Sequence, residues 1–366
     1  MSPETSVTVR LGILGCASIA EKVVRAVLLL PEIRLVALGS RSLAKAQEFA
    51  KRNGLPADAK VYGSYDEVLD DTSVDAVYIP LPTGLHVHWV LKAAEKKKHV
   101  VLEKPPAHTM EEMELMTSAL EKQGLQFMDG TMFVHHPRTA EMHRILHNPQ
   151  LFGTIREISG IFNTNMESTF GPTWSQSNVR GQAHLDGLGS LGDLGWYCVR
   201  GILWAFDYEM PYKVIAHPGT RFNDAGVIIS CGATLEWEDG RTATFRASFL
   251  TDMVMRLMVM GSRAVLDIGD FVIPVKEDVA TFQFNQGSAW LDRSTGWTRN
   301  THVHEVKTEL PQEALMFREF AQLVKGIITG TGKPNPIWPS VSKKTQAILN
   351  IVKESIEHDC SPITLS

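Results

Sequence analysis

Cysteine is scarce in this sequence. The four cysteines among 366 residues, Cys16, Cys198, Cys231 and Cys360, are far apart and form no CxxC pair. This spacing argues against a zinc module and against a disulfide framework, so we expect a reducing environment. Positive charge is not in excess either, because 36 Lys and Arg are set against 41 Asp and Glu, for a net charge of -5. The balance predicts neither a nucleic acid partner nor binding to an anionic membrane.

The sequence also lacks long apolar runs. None reaches the length that spans a membrane, and Met1 to Arg10 has no basic segment followed by an apolar core. The segment from Pro362 to Ser366 matches no peroxisomal, lipidation or ER-retention signal. We therefore expect a cytoplasmic protein with no membrane partner. What is present, 44% hydrophobic and 21% charged residues over 366 positions, predicts two ordinary globular domains.

Six strand-like runs alternate with helix-like segments as far as Gly130, which predicts an α/β fold with a Rossmann doubly wound parallel sheet over residues 1–131. The first run, Val7 to Leu14, leads into a turn with the spacing of the G-x-G-x-x-G/A dinucleotide fingerprint, except that alanine stands at the second glycine position. An ordinary tight turn between strand and helix would give the same pattern. The predicted cofactor-binding residues of this turn are Gly15, Cys16, Ala17, Ser18 and Ile19.

The end of the second run, Ile33 to Gly39, bears on the choice of cofactor. The dinucleotide fold places an acid there to bind the ribose 2′-hydroxyl of NAD. This chain has Ser40-Arg41-Ser42 instead. Because Arg41 can pair with a 2′-phosphate and either Ser40 or Ser42 can add a hydroxyl, we predict that NADP (NADPH) is preferred over NAD. A surface arginine at a strand end is the alternative.

Two later strands end at the same edge of the predicted sheet, where ligands of such sheets bind. The run Ala76 to Ile79 is followed by a loop in which Thr83 can cap the next helix and His86 is either structural or in contact with the cofactor. The run His99 to Leu102 ends in a charged pair before two prolines, which is either a solvated strand end or part of the site. The predicted cofactor-binding residues of these loops are Pro80, Leu81, Thr83, His86, Glu103 and Lys104.

Residues 132–366 have a different periodicity and are predicted to form a C-terminal α+β domain with a large, mainly antiparallel open sheet. Apolar and polar positions alternate in four segments joined in one place by an Asp-Gly hairpin turn. Helical spacing returns over Gln312 to Ile328 and Val341 to Glu357, and the C-terminal helix is expected to pack back on the first domain. A sheet with helices on one face leaves the other face uncovered, so we expect a homodimer through this sheet.

Polar groups in the second domain supply further candidates. Asp193 and Tyr197 are four residues apart on a predicted helix, so they share a face, although a buried tyrosine beside a capping aspartate would look the same. The adjacent His135 and His136 point apart and have no companion cysteine or carboxylate set, so we predict packing or substrate contact and no metal. The same reasoning applies to the histidine pairs His86/His88 and His302/His304.

Three motifs occur in order on this architecture: Gly15-x-Ala17-x-x-Ala20, Glu103-Lys104-Pro105 and Asp193-x-x-x-Tyr197. Together they resemble the Gfo/Idh/MocA oxidoreductase family over nearly the whole chain. Tyrosine at 197, where the inositol dehydrogenase type has histidine, is similar to the branch that contains glucose-fructose oxidoreductase, NADP-dependent xylose dehydrogenase and dihydrodiol dehydrogenase.

The resemblance implies that Lys104 and Tyr197 are catalytic with Asp193 nearby, that the Lys104–Pro105 bond is cis, and that substrates are sugars, polyols or related diols and ketones. Hydride would move between nicotinamide C4 and the substrate carbon, with Tyr197 as proton donor or acceptor. A free phenol has a pKa of about 10, which an adjacent ammonium lowers, and Lys104 would have that effect on Tyr197. Arg180 matches a pocket arginine of relatives loosely.

The chain departs from the family pattern in two places. Alanine replaces the usual second glycine, and the segment Phe133 to Pro137 lacks the aromatic-arginine pair of many relatives. A non-catalytic NADP-binding sensor or regulatory protein on the same scaffold is the alternative function, and a purely structural dimer would bind no nucleotide at all.

Overall fold

The computed structural model describes residues 7–292 and 296–365, and the chain divides into two compact units. The first comprises Met1–Met132 and Leu310–Lys343, and the second comprises Phe133–Glu309 and Lys344–Ser366. The four cysteines are free thiols. Among the described residues, no helix combines the length and apolar character needed to cross a membrane.

The first unit contains a six-stranded parallel sheet in the order β3-β2-β1-β4-β5-β6. Its strands are β1 (Val9–Leu14), β2 (Ile33–Gly39), β3 (Lys60–Tyr62), β4 (Ala76–Ile79), β5 (His99–Leu102) and β6 (Phe127–Asp129). The helices between them are α1 (Ser18–Val27), α2 (Leu43–Arg52), α3 (Tyr65–Asp70), α4 (His86–Glu95) and α5 (Met110–Lys122). The predicted doubly wound sheet is confirmed, because this strand order is that of the dinucleotide-binding fold.

Local sequence explains where these elements begin. All residues of β4 and β5 are buried, as expected for central parallel strands covered on both faces. Ser64 caps α3 by accepting a hydrogen bond from the Glu67 N–H while its hydroxyl donates to the Glu67 carboxylate at 2.8 Å. Thr109 likewise accepts from the N–H of Glu112 at the start of α5. These caps satisfy amide groups that the first helical turn leaves unpaired.

The second unit contains a ten-stranded sheet in the order β15-β14-β13-β12-β7-β11-β10-β8-β16, with β9 paired to β10. Its helices are α6 (Pro137–Leu146), α7 (Met166–Phe170), α8 (Trp174–Ser177) and α9 (Trp196–Ala205). Its strands as far as residue 307 are β7 (Ile155–Asn163), β8 (Lys213–Ala216), β9 (Arg221–Phe222), β10 (Ile228–Glu236), β11 (Thr242–Ser248), β12 (Val254–Gly261), β13 (Ala264–Ile268), β14 (Val279–Asp292) and β15 (Gly296–Lys307). Because β7 and β11 are parallel and the other pairs antiparallel, the predicted mainly antiparallel sheet is confirmed.

The last elements are α10 (Gln312–Ile328), α11 (Ile337–Glu357) and β16 (Ile363–Thr364). Residues 310–343, which the sequence analysis placed with the C-terminal domain apart from a helix packing back, fold with the first unit. Helix α10 packs against α1, β1 and β2, and the ring of Phe317 meets that of Tyr78 edge-on at 5.6 Å. Lys22 pairs with the buried Glu313 at 2.7 Å. The apolar face of α10 covers the parallel sheet of the first unit. Burial of that face therefore accounts for the segment folding with the first unit.

Candidate active site

A cavity of about 480 Å³ lies at the carboxyl ends of β1, β2 and β4 in the first unit. Its lining residues are Gly15, Cys16, Ala17, Ser40, Arg41, Ser42, Lys45, Tyr65, Pro80, Leu81 and Pro82. Most residues predicted to bind a cofactor therefore line one space. Lys45, Tyr65 and Pro82 were not predicted, although Lys45 falls in the first turn of α2, directly after the predicted Ser40-Arg41-Ser42 segment.

The turn after β1 has the geometry that the fingerprint predicts. Gly15 has φ +120°, its N–H donates to the carbonyl of Gly39 at 2.9 Å, and an added Cβ would lie 2.9 Å from Leu81 Cδ2. Only glycine fits such a position. Ala17 precedes α1 and supplies no side-chain cap to it. The N-terminus of α1 therefore opens next to the cavity, where backbone N–H groups can bind a phosphate.

The end of β2 gives the cavity its charge. Arg41 is exposed, and burial raises the pKa of the Tyr65 hydroxyl while the charge of Arg41 opposes that shift. Ser42 caps α2 by accepting from the N–H of Lys45 at 3.3 Å, so the cap brings a second cation to the cavity. None of the described lining residues is a carboxylate. Two cations, hydroxyls and a helix N-terminus fit the phosphates of a dinucleotide, including a 2′-phosphate.

The residues after β5 form a fixed turn. The Glu103 carboxylate accepts from the Tyr78 hydroxyl at 2.5 Å and from the N–H of Lys104 at 3.1 Å. Burial raises the pKa of Glu103, and the bond from Tyr78 opposes that shift. A Cβ on Gly130 would lie 2.9 Å from Glu103 Oε1, so the glycine leaves room for the carboxylate. The Lys104–Pro105 bond is cis, as the resemblance implied.

His86 connects two loops of this unit. Its Nδ1 lies 2.9 Å from the carbonyl of Pro106, and its Nε2 lies 2.7 Å from the carbonyl of Leu81. The side chain is 1% exposed, and burial lowers its pKa to about 4. With both ring nitrogens at backbone carbonyls, His86 is a positioning residue for the loops after β4 and β5. Thr83 is buried in a short 3₁₀ helix, Thr83–Leu85, and does not cap the helix as predicted, since neither N-cap there makes a side-chain bond.

Asp193, Arg180 and Tyr197 come together in the second unit. Arg180 Nε donates to Asp193 Oδ2 at 2.7 Å, and the aspartate charge raises the pKa of the arginine. Tyr197 is 4% exposed, and its ring lies 5.7 Å from that of Phe162 and 6.4 Å from that of Phe133. An ion pair beside a phenol in an aromatic pocket suits recognition and protonation of a polar oxygen. Lys104 belongs to the first unit and Tyr197 to the second.

The helix that carries Asp193 and Tyr197 differs from the predicted regular one. Residues Leu191–Gly195 form a π-helical turn, and Tyr197 lies in the first turn of α9. The regular α-helix expected at Asp193 is therefore replaced by a π turn, which widens the helix locally. Such turns often occur at functional sites. A Cβ on Gly195 would lie 3.3 Å from Leu191 Cδ1, which shows how tightly this turn is packed.

The two predicted substrate-contact histidines occupy different environments. His135 is partly exposed in the short helix Met132–His135. His136 is 2% exposed and caps α6, because its Nδ1 accepts from the N–H of Arg138 at 2.9 Å. Burial lowers the pKa of His136 to about 4. His136 is therefore a structural cap in this unit.

The capping role of His136 predicts a pH-dependent stability. The folded chain keeps the ring neutral, whereas the unfolded chain binds a proton below about pH 6.5, so stability falls as pH drops from 6.5 toward 4. His136→Asn keeps a good cap without titrating. Between about pH 7 and about pH 5.5, we expect wild type to lose about 1 kcal/mol more of its unfolding free energy than this variant. Urea denaturation followed by circular dichroism measures this.

The exposed His184 provides the control for that measurement. His184→Asn replaces an exposed imidazole and leaves the cap of α6 intact, so the pH dependence of this variant should match wild type. Equal pH dependence of the His136 variant and wild type would contradict the cap assignment.

A parallel sheet in dinucleotide-binding order, a glycine turn at a helix N-terminus and a cationic strand end define a dinucleotide-binding protein. The family model for the oxidoreductase family with an NAD-binding Rossmann fold matches residues 9–131, and the model for the GFO/IDH/MocA C-terminal domain matches residues 141–267. The chain belongs to the Gfo/Idh/MocA oxidoreductase family, which confirms the resemblance seen in its motifs.

Individual relatives agree with this assignment. An uncharacterized oxidoreductase of Rhizobium meliloti is 31% identical over 354 residues, which is 95% of this chain and 97% of that protein. D-xylose 1-dehydrogenase (NADP(+)) 2 of Haloferax volcanii is 32% identical over 240 residues, 66% of this chain and 69% of that one. The crystal structure of an aldose-aldose oxidoreductase from Caulobacter crescentus, complexed with glycerol, shares the fold with a TM-score of 0.81 at 21% identity, covering 98% of this chain and 100% of that one.

Proposed function

We propose that the protein is an NADP(H)-dependent dehydrogenase or reductase acting on CH–OH groups. It transfers hydride between nicotinamide C4 and a carbon of a sugar, polyol, diol or related ketone. The observation that carries this proposal is the cavity lined by Arg41 and Lys45 with no carboxylate among its described lining residues. The relative from Haloferax volcanii is named D-xylose 1-dehydrogenase (NADP(+)) 2. That name supports both the proposed cofactor and the proposed substrate class.

The cofactor would be held through its phosphates. Gly15 and the N-terminus of α1 would bind the pyrophosphate, while Arg41 and the hydroxyl of Ser40 would bind the 2′-phosphate. The cation of Lys45 adds to the attraction for that phosphate. When bound, the nicotinamide supplies or accepts the hydride.

The chain's own residues would handle the proton on the substrate oxygen. In the reducing direction the Tyr197 hydroxyl donates a proton to that oxygen, and in the oxidising direction it accepts one. The Lys104 ammonium would stabilise negative charge as it develops on the oxygen. Asp193, held by Arg180 at 2.7 Å, would orient a substrate hydroxyl.

The buried groups around Lys104 would act by positioning it. Glu103 is fixed by the hydroxyl of Tyr78 and in turn accepts from the backbone N–H of Lys104. His86 joins the loop after β4 to the carbonyl of Pro106, two residues beyond the lysine. A catalytic group needs such support, because small displacements from the reacting geometry reduce rates strongly.

The test has two stages. NADPH and NADH binding is measured first, by nicotinamide fluorescence, and we expect tighter binding of NADPH. Turnover is then followed by nicotinamide absorbance with aldoses, inosones, diols and aromatic ketones. Turnover of at least one class supports the enzyme. Tight NADPH binding with no turnover across the panel would favour the sensor, and absence of nucleotide binding would reject both.

We also propose that the second unit forms a homodimer through its sheet. Trp290 and Trp297 pair directly across the β14–β15 hairpin, and they are 76% and 54% exposed. Two large neighbouring aromatic side chains on one strand pair are typical of an interface rather than of a free surface. A second copy presenting the same surface would cover them in an isologous contact.

The dimer predicts a change of mass on charge insertion. The double variant Trp290→Glu/Trp297→Glu places four like charges at a two-fold interface, so we expect a monomer by light scattering coupled to size exclusion. Leu115→Glu, on an exposed position of α5 in the first unit, is the matched control and should remain dimeric. A wild-type monomer, or a dimeric double variant, would contradict the proposal.

A further inference from the structure

Three metal-ligating side chains meet on the second unit, outside the residues assigned to hydride transfer. His143 lies in the last turn of α6, His147 caps the end of that helix, and Asp207 follows α9. His143 Nε2 lies 2.8 Å from Asp207 Oδ1, and His147 Nε2 lies 2.8 Å from Asp207 Oδ2. One ligand atom from each residue falls within 4.8 Å of the others.

The hydrogen bond on the far side of His147 fixes its tautomer. Its Nδ1 lies 3.0 Å from the carbonyl oxygen of His143, and a carbonyl can only accept, so Nδ1 carries the hydrogen. In the neutral ring, Nε2 then presents a lone pair to a carboxylate oxygen 2.8 Å away. Two acceptors at this distance repel each other, and either a proton or a metal ion between them removes the repulsion. Metal-binding histidines are commonly oriented by such a bond from the other ring nitrogen to a backbone carbonyl.

The local backbone also favours a positive charge at this place. The C-terminal ends of α6 and α9 both lead into the cluster, and helix C-termini carry partial negative charge. The rings of His143 and His147 stack at 4.0 Å, as the i, i+4 spacing allows. Asp207 and Tyr208 have φ of 51° and 59°, and the N–H of Tyr208 donates to the carbonyl of Leu203 at 2.6 Å. This left-handed turn holds the Asp207 carboxylate against both rings.

We propose that His143, His147 and Asp207 bind one divalent transition metal ion of the zinc class, with water as the fourth ligand. Two imidazole nitrogens and a carboxylate suit Zn²⁺, Co²⁺, Ni²⁺ and Cu²⁺ rather than Mg²⁺ or Ca²⁺. Tetrahedral zinc needs ligand atoms roughly 3.4 Å apart, so each 2.8 Å contact opens by about half an ångström. The side chains are 39%, 32% and 61% exposed, which leaves them room to do so.

The site is distinct from the proposed chemistry. Tyr197 is the second residue of α9, whereas Asp207 lies two residues beyond its end, which separates them by roughly 15 Å along the helix axis. The ion therefore takes no part in hydride transfer. It would join the end of α6 to the end of α9 and so stabilise the second unit, because an ion bound only by the folded state raises its stability.

The experiment uses untagged, chelator-treated full-length protein. Titration with ZnCl₂ by calorimetry should show one site of micromolar or tighter affinity, and Zn²⁺ should raise the melting temperature. Titration with Co²⁺ should give the visible absorption of a tetrahedral N/O site. Each of His143→Gln, His147→Gln and Asp207→Asn should weaken Zn²⁺ binding by roughly tenfold or more, while dehydrogenase activity in chelator stays unchanged.

His358 provides the matched control. Its Nδ1 lies 2.8 Å from the carbonyl of Glu354, four residues earlier in α11, so it repeats the geometry of His147 outside the cluster. His358→Gln should bind Zn²⁺ as wild type does. Absence of saturable Zn²⁺ binding, or equal affinity of the cluster variants and wild type, would overturn the site.

Discussion

Replacing Tyr197 by phenylalanine is expected to lower kcat by roughly two or more orders of magnitude while leaving the Kd for NADPH nearly unchanged. The substitution removes only the hydroxyl. The ring is 4% exposed between Phe133 and Phe162, and phenylalanine keeps that packing. The loss of rate then reports the missing proton donor or acceptor rather than a damaged fold.

The measurement is steady-state turnover with the best substrate of the panel, together with NADPH fluorescence titration on the same preparations. Tyr212→Phe is the matched control, because Tyr212 is a second-unit tyrosine whose hydroxyl donates to the surface Glu236 at 3.3 Å. Its kcat should equal that of wild type. Full turnover by the Tyr197 variant would remove the proton-transfer assignment, whereas loss of NADPH binding would point to a structural effect.

Substitution of Lys104 provides a second test of the same mechanism. If the ammonium stabilises charge on the substrate oxygen, Lys104→Met should also lower kcat, and the double variant with Tyr197→Phe should lose much less than the sum of the two effects. Groups that act on one oxygen are expected to behave as a unit. Additive losses would show that the two residues act in separate steps.

Sequence patterns predicted those parts of the fold in which apolar residues mark the buried positions. The central strands β4 and β5 are mostly apolar and are buried throughout, and the pair Ser64 and Glu67 marks the start of α3. The hairpin β14–β15 was not predicted, because β15 is exposed along most of its length and so has no apolar face to produce a pattern. The segment around α10 looks like any amphipathic helix, and only tertiary burial shows that it joins the first unit.

The candidate site was predictable where one short motif carries the geometry, as at Gly15 and Arg41. It was not predictable where partners are distant in the chain. The sequence around Glu103 does not indicate that the Tyr78 hydroxyl will donate to its carboxylate. The role of His136 as a cap requires an unprotonated Nδ1 that can accept from the N–H of Arg138. The i, i+4 spacing of His143 and His147 is a usable signal in the sequence, but Asp207 is supplied by another element 60 residues later.

Arg41 is the second residue for which a large effect is expected. Arg41→Glu should weaken NADPH binding by roughly 100-fold or more and NADH binding far less, because the change replaces attraction of a 2′-phosphate by repulsion. A glutamate at this strand end can also accept from the 2′-hydroxyl of NADH, as in NAD-binding relatives of this fold. The ratio of the two Kd values, measured by fluorescence at one fixed salt concentration, is the readout that matters.

Two further variants separate the possible causes of a change in the ratio of the two Kd values. Arg41→Ala removes the contact without adding repulsion, so its loss of NADPH affinity should be smaller than that of Arg41→Glu. Arg34→Glu reverses an exposed charge at the opposite end of the same strand and should leave the ratio unchanged. If Arg41→Glu weakened NADPH and NADH equally, the arginine would act on the cavity through its charge beside Tyr65 and would not recognise the 2′-phosphate.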